Sequence, residues 1–114
     1  MKRYIYITTQ FEGIHRYENA PEEVSFLRNY HRHLFKIRLQ VEVEHNERDI
    51  EFIMLKHAID NYILQTYLDM MVNASCETIA ETLIDYVKSS YPNRKVICEV
   101  SEDGENGAIL ESEE

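Results

Sequence analysis

His31 and His33 stand two residues apart at the head of the run "HRHLFKIRLQVEVE", and side chains two apart on a strand point the same way. Two imidazoles so placed can share one ion: zinc in a reactive site takes three protein nitrogens or oxygens and keeps a fourth position open. A third ligand must then come from elsewhere in the chain. His15, in "FEGIHRY", follows an earlier strand-like run, where antiparallel pairing with the histidine strand would bring it alongside. His45 and His57 fall at a strand end and on the polar side of a helix and read as surface residues.

Periodicity supplies the elements that must hold these rings. "YIYITTQF" (4–11) is rich in aromatic and β-branched residues and predicts a first strand. The stretch after it, "EGIHRYENAPEEVSFLRNY", contains Gly13 and Pro21, which argue against a continuous element. From about His31 to His45 the apolar residues fall on every second position, so one face is buried and one is wet, as in an antiparallel sheet covered on one side. "HNERD" is a turn. Between about Ile50 and Val72 the spacing becomes helical, with Phe52, Leu55, Ile59, Tyr62, Ile63, Tyr67 and Met70 in one stripe. Ser75 is placed to cap a second helix with Glu77 in its first turn, and that helix stops at Pro92. "KVICEVS" (95–101) and "AILE" (108–111), joined by "EDGENG", predict a closing hairpin. The expectation is an α+β fold in the order ββααββ, two helices on one face of a four-stranded antiparallel sheet, whose open edges favour self-association.

The 114 residues suit a single domain, 1–114, with residues 111–114 expected to fray. No apolar run reaches the roughly 20 residues of a membrane helix, and the start is too polar for a secretory signal, so a cytoplasmic protein is expected. Two cysteines are too few for a disulfide framework and fit a reducing compartment. A net charge of −9 argues against nucleic-acid binding. Its distribution is uneven. Residues 1–38 carry seven Lys and Arg against four acids, net +3, and the remainder five against seventeen, net −12. The histidines therefore sit in the basic part of the chain, which suits a small anionic ligand.

"FEGIHRY", "LRNYHRHLFKIRLQVEV", "IEFIMLK", "SCETIAETLIDYV" and "VICEVSEDGENGAIL" follow one another in an order that resembles the 6-pyruvoyl-tetrahydropterin synthase and 6-carboxytetrahydropterin synthase family over nearly the whole chain. The resemblance implies the tunnelling (T-fold) architecture, in which subunits join into a barrel, commonly a hexamer of two trimers. It also implies one Zn²⁺ held by His15, His31 and His33. Glu99 matches the carboxylate that anchors the amino-pyrimidine edge of a pterin, and a carboxylate is suited to accept two parallel N–H bonds from such an edge. Ser75 and Glu77 match the contacts at the second helix start. Arg16, Arg28 and Arg32 become candidates to neutralise phosphates as bidentate donors.

Departures from the family's pattern are as specific as the matches. Leu27 stands where the catalytic Cys is expected, and Leu64, Gln65 and Thr66 stand where an Asp/His relay would fall, with Asp69 the nearest carboxylate. None of Leu, Gln or Thr moves protons near neutral pH. Cys76, in the first turn of the second helix, is the remaining thiol with a favourable helix dipole. Two functions follow from the resemblance. One is a zinc-dependent lyase of the pterin or 7-deazaguanine pathways acting on 7,8-dihydroneopterin triphosphate or a relative. The other is an inactive T-fold protein that binds or sequesters a pterin, guanine-like base or nucleotide.

Overall fold

The computed structural model describes residues 1–113, and it is an α+β fold with one open antiparallel sheet. Strands β1 (Arg3–His15), β2 (His31–Val43), β3 (Val96–Glu102) and β4 (Asn106–Glu111) lie side by side in that order. Helices α1 (Phe52–Thr66) and α2 (Cys76–Ser90) cover one face. A 3₁₀ segment broken at Val24 (Glu22–Arg28) separates the first two strands, and a short one at Leu68–Met70 separates the two helices.

The alternation of β2 decides which face is covered. Phe35, Ile37, Leu39 and Val41 point inward and are buried, and the register pairs Leu39 with Cys98 and Ile37 with Val100, so that β3 presents Val96, Cys98 and Val100 to the same side. Helix α2 lays Ile79, Leu83 and Val87 on β3 and β4, and α1 packs on β1 through Leu55, Ile59 and Ile63. A stacked Tyr62–Tyr86 pair, 4.0 Å between ring centroids, joins the helices. At the start of α2 the Ser75 hydroxyl accepts the Thr78 N–H at 3.1 Å, the cap expected from its type. Among the described residues, no helix is long and apolar enough to cross a membrane.

Four boundaries differ from the sequence expectation. Strand β1 does not stop at Phe11 but runs through Gly13 to His15, thirteen residues paired in register with β2. Gly13 acts here by what it lacks: a Cβ would lie 2.6 Å from Val72 Cγ2 and 2.8 Å from Phe35 Cε2, so the strand continues and two core side chains occupy the gap. Strand β2 ends at Val43, because Glu44 N–H turns to the Asp49 carboxylate. Helix α1 ends at Thr66, and Phe52 of its expected stripe is 51% exposed. Asp69 and Met70 adopt positive φ, which returns the chain to the edge of β1, where Val72 N–H bonds Ile14 O at 2.8 Å. The expected fraying at 111–114 does not begin at its first residue: Glu111 closes β4 and Ser112 bonds Val96 on both sides of the ladder, while Glu114 lies outside the described residues.

Because Gly13 is packed from two sides, Gly13→Ala is expected to destabilise the fold by about 1–3 kcal/mol, the usual cost of overpacking, read as a lower urea midpoint with an unchanged slope.

Candidate metal centre

At the end of the sheet beyond α1 and α2, the inward face carries histidines instead of aliphatics. The register puts His15 opposite His31 and Gly13 opposite His33, so two strands deliver three rings to one spot. Ring centroids are 4.5 Å apart for His15 and His31, 4.9 Å for His31 and His33, and 5.3 Å for His15 and His33. One nitrogen from each lies within 4.8 Å of the others. The three residues singled out from the sequence are thus brought together, and His45 and His57 are exposed and apart from them.

Which nitrogens converge follows from hydrogen bonding. His15 Nδ1 lies 3.2 Å from Ala74 O, His31 Nδ1 2.8 Å from Asn29 O, and His33 Nδ1 2.8 Å from Asp103 Oδ2. Carbonyls and carboxylates accept, so each Nδ1 donates, and each ring in its neutral form offers a lone pair at Nε2. This is the arrangement of metal-ligating histidines, whose far N–H is held by a carbonyl or carboxylate. The Nε2 atoms of His15 and His33 are buried without a hydrogen-bond partner. Buried polar atoms are rarely left so, and an ion at the meeting point satisfies both. The residues present therefore fit a divalent metal.

Each supporting group has a local cause. Ala74 reaches His15 because the chain breaks at Thr66 and runs beside β1 through the Ile14–Met71 bridge. Asp103, at the β3–β4 turn with φ 60°, is clamped to β2: its N–H bonds Leu34 O at 2.7 Å and its Oδ1 accepts Leu34 N–H at 2.9 Å. That backbone bond, followed by His33, holds the Asp103 carboxyl below the usual range. Burial, the largest influence, pushes His15 below the ordinary histidine value and favours its neutral, ligating form.

A cleft of about 480 Å³ opens beside the rings, lined by His15, Arg16, Leu27, His31, Ser75, Cys76, Glu77 and Glu102. Its volume is within the range of small-molecule sites. Ser75, Glu77 and Arg16 thus join the histidines, but the other candidates do not. Glu99 points to the opposite face, exposed between buried Cys98 and Val100 and paired in register with Arg38, where it lines a separate cleft of about 930 Å³. Arg28 is spent on Ala20 O, at 2.9 and 2.8 Å, and Arg32 is exposed beside Glu12. Asp69 lies in the 3₁₀ turn and lines neither cleft. Cys76 does line the cleft, but burial first, then Glu102 and Glu77, push its thiol up to about 11, which overrides the helix dipole and removes the thiolate near neutral pH.

Sequence reasoning missed Glu102 and Asp103, both within "EDGENG" and read there as turn. Glu102 Oε2 lies 3.2 Å from His15 Nε2 and 3.7 Å from His33 Nε2. Parity carried the missing signal: Glu102 shares the inward side with Val96, Cys98 and Val100, whereas Glu99 does not. No protein-family model and no curated protein matches the chain.

Two outcomes are expected for the centre. Zinc should stabilise the protein against heat, by about 2.7 kcal/mol at a free concentration 100 times Kd, and His33→Ala should abolish the effect in a melting titration. Metal-free protein should weaken in acid. His15 has a folded value below its unfolded 6.5, so its contribution is full above 6.5 and is lost as pH falls through the lowered value, visible as a urea midpoint that falls as the pH drops below 6.5.

Proposed function

We propose that the protein is a zinc-binding T-fold protein similar to the 6-pyruvoyl/6-carboxytetrahydropterin synthases, which uses the cleft beside its three histidines to hold a small anionic pterin or purine-like ligand. The observation that carries this reading is the opening of the three-histidine centre into a cleft of about 480 Å³. Zinc suits three neutral imidazoles, and when bound it would polarise ligand oxygens. His15, His31 and His33 would hold it. Arg16, stacked 4.8 Å over the Tyr30 ring and at the cleft wall, would meet a phosphate as a bidentate donor. Glu77 and Ser75 line the cleft, and Glu77, in place of the outward Glu99, would accept N–H bonds from a base edge with Ser75 adding a hydroxyl.

Binding without turnover is the reading favoured by the cleft wall itself. Leu27 lines it and transfers no proton, and the Cys76 thiol stays protonated. A second reading, a zinc-dependent lyase acting on dihydroneopterin triphosphate, is supported by the two carboxylates at the cleft, Glu77 and Glu102, which could serve as proton acceptors. Self-association completes the proposal: β1 and β4 are the edges of the sheet, and pairing through them would close a barrel of three or six chains.

Zinc-loaded protein mixed with dihydroneopterin triphosphate is expected to bind it in calorimetry without releasing triphosphate. Arg16→Ala should weaken binding about tenfold or more, the loss of one charged hydrogen bond. Zinc-dependent triphosphate release that disappears in His33→Ala would instead establish the lyase. Sedimentation should give a trimer or hexamer, and a monomer at micromolar concentration would remove the barrel.

A further inference from the structure

Arg38 stands beside a carboxylate and turns away from it. On the sheet face opposite the helices, the register sets Thr8, Arg38, Glu99 and Ile109 in one row and Gln10, Lys36, Ser101 and Gly107 in the next. Elsewhere on this face neighbouring charges pair, Arg32 with Glu12 at 3.8 Å and Lys95 with Glu111 at 2.8 Å. Arg38 makes no such pair with Glu99. Its guanidinium lies 4.0 Å from the centroid of the Tyr6 ring, and its Nε donates to Gln40 Oε1 at 3.4 Å. Among the described residues, the side chains of Lys36 and Glu99 have neither a hydrogen bond nor an ion pair.

These groups line the cleft of about 930 Å³. Tyr6 and Gln40 fix the plane of the Arg38 fork and leave both Nη groups open, so it is set to meet two oxygens of a phosphate. Lys36 is the second cation. Its stem crosses the β3–β4 turn, with Nζ 3.6 Å from where a Cβ on Gly104 would stand. Thr8, Gln10 and Ser101 add hydroxyl and amide donors around the pair. Glu99, one strand from Arg38, disfavours a bare anion by repulsion. It suits hydroxyl hydrogens instead, as the acidic residue of a dinucleotide site accepts from a ribose. Ile109, next in the row and 66% exposed, offers apolar surface to a flat ring. Two strand spacings, roughly 10 Å, separate it from Arg38. From β2 to β4 the row reads cation, acceptor, apolar surface, which is the order of phosphate, sugar and base. Of the other charges at the cleft, Asp60 is taken up by the Thr9 hydroxyl, and Lys56 and Glu105 balance one another.

We propose that this face of the sheet is a second binding site, for a nucleoside monophosphate, with the phosphate on Arg38 and Lys36, the ribose hydroxyls on Glu99 and the base over Ile109. The site lies on the opposite face from the inward histidines. It rests on neither the metal nor the pterin.

The test titrates the full-length chain with adenosine 5′-monophosphate, ribose 5-phosphate and inorganic phosphate. Affinity is read by NMR from the amides of residues 8–10, 36–38, 99–101 and 107–109, so that binding at the histidine cleft is counted apart. It is expected to fall in the order nucleotide, sugar phosphate, inorganic phosphate. Lys36→Ala and Arg38→Ala should each weaken the nucleotide about tenfold or more, the loss of a charged hydrogen bond. Arg38→Lys should not restore it, because the fork is lost. Glu99→Ala carries opposite signs: the nucleotide should bind more weakly and inorganic phosphate more tightly. A nucleotide dissociation constant above about 1 mM, equal affinities for nucleotide and inorganic phosphate, or shifts confined to residues around His15 and Ser75 would each overturn the site. The substituted side chains are all exposed, and unchanged melting temperatures are expected for every variant.

Discussion

Three imidazoles aimed at one point bring their lone pairs against one another whenever the rings are neutral, and the end of the sheet is organised around tolerating that. The rings hold position because each far N–H is anchored, two by backbone carbonyls and one by a carboxylate. Without those anchors each ring would turn an N–H toward its neighbours and the centre would become an ordinary hydrogen-bonded cluster. Much of the irregular backbone supplies these anchors. The positive φ at Asp103, the break after Thr66 and the parallel bridge at Met71 each end in a bond to a histidine or to the strand that bears one.

The same elements divide stability from chemistry. Where α1 and α2 cover the sheet, the inward positions of β2 from Phe35 to Val43 are apolar and buried; past the helices the same parity carries His33, His31 and, across the register, His15. Phe35 sits at the boundary, with its ring centroid 5.3 Å from that of His15, so the last core residue is also the floor of the centre. The charge pattern agrees with the division: the basic segment of the chain contributes the rings and Arg16, and the acidic remainder contributes Glu77, Glu102 and Asp103 around them.

What was legible in the sequence was what depends on local periodicity. The alternation of β2, the cap at Ser75 and the pairing of His15 with the His31–His33 pair all follow from spacing along one or two elements. What was not legible depends on distant packing. Gly13 reads as a breaker because the residues filling its missing side chain, Phe35 and Val72, are remote in the chain. The helical stripe through Tyr67 and Met70 continues on paper, but seating Val72 against β1 ends it in space. Glu99 and Glu102 differ by three positions and hence by one face, a distinction set by where the hairpin folds. Cys76 shows the limit of a dipole argument, since burial among carboxylates acts the other way and prevails.

The register of β1 against β2 has one more consequence. His15 comes from one strand and His31 and His33 from the other, matched residue by residue. Sliding the strands by a single position would keep the pair where it is and swing His15 out to the far side of the sheet. An ion seated on all three would therefore proofread the folded pairing: only chains whose first hairpin has closed in the correct alignment bring the three rings together.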